Sequence, residues 1–263
     1  MGLRAGVFLP DAFSLRCGLA FGATAHVDVH GAAHDAFMTL PAYTRTREGE
    51  VHSLGNGPKP CRLGLGVRNM NNEVKILGIA GSLRKGSFNK AALRSAVSLT
   101  PSDVTLETFD ISSFPLFNQD DEKNPPEVIR QFKENIRASD AILFATPEYN
   151  YSVPGVLKNA IDWASRPGGD NAWEGKPVAI MSASIGMIGG ARAQYHLRQM
   201  FVYLNMYPLN RPEVIIPNAA DKFDSAGNLT DQHTKEKIQE LLKALSAWAV
   251  QTRYEDLVGG KIS

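Results

Sequence analysis

The chain has 263 residues, 43% hydrophobic and 21% charged, which is enough to bury the core of one large domain or two small ones. Lys+Arg 28 against Asp+Glu 27 leaves a formal net charge of +1, so charge gives no argument for a nucleic-acid or anionic-membrane surface. Two cysteines, Cys17 and Cys61, exclude a disulfide scaffold and a four-cysteine metal site, and no run of eighteen apolar residues is present to span a bilayer.

Residues 1–69 carry both cysteines and four of the six histidines, without a period of 3.6 or 2. They read as a loosely ordered extension with little bearing on function, apart from a short strand within AFGATAHVDVH. The apolar run near the start is too short for a signal peptide, and Asp11 argues against a transit peptide. Met70 is a natural start, immediately ahead of a strong strand. The expected division is therefore 1–69 as extension and 70–263 as the working domain.

From Val74 the pattern alternates. VKILGIAG is a buried strand, Asn89–Leu99 a helix, and VTLETFD a strand. PPEVIRQFKENIRAS is a helix with Val128, Ile129, Phe132 and Ile136 on one face. AILFATP is a strand, Gly155–Ser165 a helix, PVAIMSAS a strand and Ala191–Asn205 a helix; the strand PEVIIP and a helix over Asp231–Tyr254 close the chain. Continuous apolar strands separated by helices predict an α/β doubly wound parallel sheet of five strands with helices on both faces. Ligands of such sheets sit at the carboxyl ends of the strands. The loops to read are those after Ala80, Thr146 and Ser184.

The first loop, GSLRKGSFN, joins a strand to a helix N-terminus. Free backbone N–H groups and the helix dipole favour a phosphate there, with Ser82, Ser87 and Asn89 as further donors and Arg84 as a charge. The spacing fits neither a Walker loop nor a dinucleotide fingerprint, since Ser87-Phe88 follows Gly86 and Gly78-Ile79-Ala80-Gly81 breaks G-x-G-x-x-G. Hydroxyl and amide donors suit a terminal monophosphate; a plain helix cap is the other reading. The second loop, PEYNYSVPG, offers Glu148, Tyr149, Asn150, Tyr151 and Ser152 at a strand end. Its amides and rings suit the edge and face of a flat ligand, and equally suit ordinary packing.

GSLRKGSFN together with PEYNYSVPGVLKNAIDW resembles the NAD(P)H-dependent FMN reductase family, in its branch of soluble quinone and chromate reductases, over about 74–254. The resemblance implies a flavodoxin-like fold. It implies that Ser82, Arg84, Ser87 and Asn89, with the adjoining Phe88, hold the FMN phosphate. It implies that Pro147, Glu148, Tyr149 and Asn150 line the isoalloxazine, largely through backbone atoms, and that Ser182 and Ser184 of SASIGMIGG lie near the ring. The reaction it implies is ping-pong hydride transfer from NAD(P)H through FMN to small acceptors: quinones, free flavin, azo compounds or chromate. No side-chain nucleophile and no metal is required.

The domain from Met70 contains no cysteine, so redox work there needs a bound cofactor. From Met70 there are 21 Lys+Arg against 22 Asp+Glu, which favours a reductase over a strongly acidic flavodoxin-like electron carrier; a flavin redox sensor stays open. A serine hydrolase would need G-x-S-x-G, and Ser182-Ala183-Ser184-Ile185-Gly186 lacks its first glycine, although His196 and His233 are available as bases. A cytoplasmic setting is expected, with no nucleic acid or membrane partner. Pairing into a homodimer or homotetramer is expected from ARAQYHLRQMFVYLN. Leu197, Met200, Phe201 and Leu204 make its sheet-facing side, while Tyr195, Val202 and Tyr203 lie opposite. The helix holding Val156, Leu157, Ala160, Ile161 and Trp163 is broadly apolar in the same way.

Overall fold

The computed structural model describes residues 43–45, 51–53 and 73–259. The chain divides into two compact units, Met1–Arg68 and Asn69–Ser263. In the first, Tyr43–Arg45 pairs antiparallel with Val51–Ser53. Strands of three residues are too short to print an alternation on the sequence, so this pairing escapes a search for periodicity. The strand expected within AFGATAHVDVH and the looseness expected of residues 1–69 lie outside the described residues.

The second unit is a parallel sheet. Its strands are β1 (Val74–Ala80), β2 (Val104–Phe109), β3 (Ala141–Thr146), β4 (Pro177–Ala183), β5 (Tyr207–Pro208) and β6 (Val214–Ile216). The order is β2-β1-β3-β4, and β5 and β6 share the fifth position. β5 pairs with Pro177 and Val178, and β6 with Met181, Ser182 and Ala183. PEVIIP is thus a strand as expected, while Tyr207–Pro208 is an addition. A two-residue strand carries no pattern, and Pro208 and Pro212 withhold two N–H donors from this edge.

Every residue of β3 and β4 is buried, which is why both read as unbroken apolar runs. Successive side chains still go to opposite faces. Ala141, Leu143, Ala145, Ala179, Met181 and Ala183 join one core with α1 (Phe88–Ser98) and α5 (Gln232–Gly259). Small residues dominate that face, and α1 lies close: a Cβ on Gly78 would meet Leu93 Cδ1 at 2.8 Å. Ile142, Phe144, Val178 and Ile180 face the other core, with α2 (Glu127–Ala138), α3 (Gly155–Ala164) and α4 (Ala191–Leu204). Phe132, Phe144, Trp173 and Phe201 fill it, ring centroids 5.7–5.8 Å apart from neighbour to neighbour.

Ile129, Phe132 and Ile136 are buried on α2 as the spacing predicts, with Val128 half-buried. Lys133 is buried beside them, its ammonium donating to Arg166 O and, at 2.5 Å, to Asp170 Oδ2. Helix α3 corrects one expectation. Its broad apolar surface needs no second chain, because the segment after β2 covers it: Trp163 Nε1 donates to Pro115 O at 2.9 Å, and Phe117 meets the Trp163 ring edge-on at 5.0 Å. Among the described residues no helix is long and apolar enough to cross a membrane.

Candidate active site

Three loops leave the carboxyl ends of β1, β3 and β4. The first departs as tightly as the backbone allows. Gly81 N donates to Ala145 O at 2.8 Å, and a Cβ on Gly81 would meet Leu157 Cδ2 at 2.9 Å and Thr146 Oγ1 at 3.1 Å. The loop ends on Ser87, the N-cap of α1, whose hydroxyl accepts from Lys90 N. Among the described residues the N–H groups of Phe88 and Asn89 have no acceptor. These are orphan donors at a positive helix end, and the first turn holds no acidic side chain to occupy them. Ser82 is buried, its hydroxyl accepting weakly from Arg84 N at 3.4 Å. Arg84 is exposed, with no carboxylate partner among the described residues; its guanidinium lies 5.7 Å from the Phe88 ring, which packs on Phe223. The fit to a phosphate is therefore good: free N–H groups, hydroxyls and one cation converge on an exposed turn.

The second loop is a two-residue hairpin. Tyr149 and Ser152 exchange both backbone hydrogen bonds, at 3.0 and 2.9 Å, and Asn150 and Tyr151 between them have φ of 49° and 65°. Asn tolerates that region, but Tyr there costs of order 1–3 kcal/mol. The surroundings hold the turn through α4. The Arg192 guanidinium lies 3.9 Å above the Tyr151 ring. Ser152 Oγ and His196 Nδ1 are 2.8 Å apart. Glu148 turns back onto the start of α4, accepting from Arg192 N at 2.9 Å, Ala193 N at 3.3 Å and Arg192 Nη1 at 2.8 Å. The N-cap of α4 is Gly190, which has no side chain, so a carboxylate 42 positions earlier in the chain does the capping. Pro147 is buried beneath this loop, and Tyr149 and Tyr151 stand exposed above it.

The third loop joins the first from across the sheet. Asn89 Nδ2 donates to Ala183 O, and Ala183 N donates to Asn89 Oδ1, both at 2.8 Å. The Asn89 amide is thus fully engaged in binding α1 to the end of β4, which leaves its backbone N–H as its free donor. Ser182 is completely buried and accepts from Gln194 Nε2, so it supports the loop from below. Ser184 Oγ accepts from Gly186 N, and beyond it Ile185, Met187 and Ile188 are exposed. The sequence-derived residues therefore gather on one rim, but Glu148, Asn89 and Ser182 use their side chains to build it. Arg192, Gln194 and the Ser152–His196 contact were missed. They act on partners 12 to 44 residues away, a separation that leaves no local signal. His196 engages Ser152, not the serines of the third loop.

A free-donor helix start and an exposed aromatic loop thus lie at the carboxyl ends of neighbouring strands of one parallel sheet. The family model for NADPH-dependent FMN reductases matches residues 74–221, which include all three loops. The chain belongs to the NADPH-dependent FMN reductase family. An NAD(P)H-dependent FMN reductase of Pseudomonas aeruginosa is 53% identical over 185 residues, 70% of this chain and 100% of that protein. A 2-hydroxy-1,4-benzoquinone reductase of a Burkholderia species is 44% identical over 68% of this chain and 98% of its own length. Among solved structures, the flavoenzyme NAD(P)H:(acceptor) oxidoreductase FerB of Paracoccus denitrificans superposes with a TM-score of 0.63. It is 35% identical over 68% of this chain and 98% of that one. This family member is accordingly an NAD(P)H-dependent, FMN-linked oxidoreductase, and the hydrolase reading is set aside.

Proposed function

We propose that this chain is a two-electron reductase of small acceptors, quinones first and then free flavin, azo compounds and chromate, with donor and acceptor occupying one open face in turn. FMN, when bound, supplies the atom that takes the hydride from NAD(P)H and passes two electrons on. The chain's own residues bind and orient. The N–H groups of Phe88 and Asn89, the hydroxyls of Ser82 and Ser87, and Arg84 hold the phosphate. The Pro147–Asn150 backbone borders the ring edge, and Tyr149, Tyr151 and Ile185 shield the site from water. The observation that carries this reading is the Asn89–Ala183 clasp, which draws the anion-ready helix start and the third loop onto one rim. A cytoplasmic setting belongs to the same proposal.

The isolated protein is expected to hold one FMN per chain and to bind riboflavin, which lacks the phosphate, far more weakly. Arg84→Ala should weaken FMN by about 1.5–3 kcal/mol, the range for a hydrogen bond to a charged group. Flavin-fluorescence titration measures both. Equal affinity for riboflavin and FMN sinks the phosphate assignment.

We further propose that the domain from Met70 is sufficient for activity and pairs with a second copy through α4. Relatives match nearly their full lengths on about 70% of this chain, which supports the boundary. Leu197, Phe201 and Leu204 are buried against the sheet, yet Val202 is 82% and Tyr203 80% exposed on the opposite side. That apolar face runs on from the helix turns that hold the second loop, so a second copy there would complete the rim. Light scattering on a chain starting at Met70 should give a dimer or tetramer with reductase activity. An active monomer at micromolar concentration rules the pairing out.

A further inference from the structure

Neither Ser152 nor His196 belongs to the phosphate cradle or the ring edge, yet their side chains meet at 2.8 Å, Oγ to Nδ1. Whichever tautomer the ring takes, one partner donates and the other accepts. The pair stands at the return leg of the second loop, and that loop has little structure of its own. Between the end of β3 at Thr146 and the start of α3 at Gly155, its backbone makes one reciprocal pair, Tyr149 with Ser152. A hairpin that small is marginal by itself. Tyr151 sits in it at a φ of 65° with 67% of its surface exposed, so burial does not offset the strained conformation. The restraint comes from α4. Among the described residues, every hydrogen bond that leaves residues 148–152 ends on that helix. Glu148 ties the outgoing leg to Arg192 and Ala193, and Ser152 ties the return leg to His196. Arg192 and His196 are four residues apart, on one face of α4. The helix itself is fixed to the sheet by the buried Leu197, Phe201 and Leu204. Both legs of the hairpin are therefore set by one rigid surface, and the stance of Tyr149 and Tyr151 follows from it.

We propose that His196, acting through Ser152, is a positioning residue for the electron acceptor: it fixes the hairpin that carries Tyr149 and Tyr151, and with it the affinity of the open face for a quinone. The inference rests on the reading that small quinones occupy that face in their turn. The test uses the full chain as isolated, with its FMN, and tetramethyl-benzoquinone as acceptor at saturating NADPH. Ser152→Ala and His196→Ala should each raise the KM for the quinone about fivefold, the factor that one neutral hydrogen bond supplies. The kcat should stay within about twofold, as for a contact made equally in ground and transition states. The double variant should be no worse than either single one, because each removes the same contact. His196→Asn places an amide where Nδ1 stands and should bring the KM back to within about twofold of the parent. Fluorescence of the bound FMN reads the hairpin without turnover; it should change in both Ala variants and return in His196→Asn. An unchanged KM or fluorescence, a double variant whose effect is the product of the singles, a fall in kcat in place of the rise in KM, loss of FMN from either Ala variant, or His196→Asn no better than His196→Ala would each overturn the proposal. A parent protein that leaves the quinone unreduced sinks the proposed function and this inference with it, whereas an active parent with indifferent variants sinks the positioning role alone.

Discussion

Replacing Asn89 with alanine is expected to destabilise the domain by about 2–4 kcal/mol and to weaken FMN retention at the same time. The Asn89 amide is 3% exposed and makes two hydrogen bonds, one each way, with the main chain of Ala183. Its removal strands a buried N–H and a buried C=O at the end of β4. Each unsatisfied buried group costs of order 1–3 kcal/mol, and the void left by the side chain adds to that. For a domain of this size, 1 kcal/mol moves Tm by roughly 2–4 °C, so a fall of about 4–16 °C is expected. Asn89→Asp should be no better: one carboxylate oxygen still accepts from Ala183 N, but the other faces the Ala183 carbonyl oxygen. The link to cofactor retention is geometric, because the clasp joins the first loop to the third. Thermal melts of the flavin-free protein and flavin retention on gel filtration separate the two effects. A variant melting within 2 °C of the parent, with FMN retained, would mean that the clasp contributes little.

Gly189→Ala should cost about 2–5 kcal/mol, while Gly186→Ala three residues earlier should change stability by less than about 0.5 kcal/mol. Gly189 has φ of +63°, and a Cβ there would stand 2.5 Å from Ile215 Cγ2 and 2.9 Å from Pro217 N. The left-handed conformation costs a residue with a Cβ about 1–2 kcal/mol, and overpacking against main chain about 1–3 more. The Pro217 backbone cannot swing aside as a side chain does, so relief requires β6 to shift away from β4. At Gly186 the nearest atom is Ser184 Oγ at 3.7 Å, an ordinary contact. Urea unfolding of the two variants gives the comparison directly. Similar midpoints would show that the third loop adjusts more freely than its close contacts imply.

The sheet was legible in the sequence because β3 and β4 are buried along their whole length and β1 along most of it, exposed only at Lys75, and strands buried on both faces are predominantly apolar. The faces of α2 and α4 were legible for a related reason: Phe132 and Ile136, or Leu197, Phe201 and Leu204, recur at the helical period because one core selects them. The loops were legible because a parallel sheet presents its ligand site at the strands' carboxyl ends, whatever the loop residues are. Which atoms those residues use was decided only by tertiary structure. The resemblance sets Glu148 beside the ring through its backbone and says nothing of its carboxylate; Gly190 leaves the start of α4 uncapped, and the fold brings that carboxylate to it. Asn89 reads as a phosphate donor, but a strand end 94 positions away needs both halves of its amide. The second face of α3 reads as an interface, but Pro115 and Phe117 return to cover it. Period and composition record how much of a residue is buried. They do not record which distant polar group, left unsatisfied by its own neighbours, the side chain is brought in to satisfy.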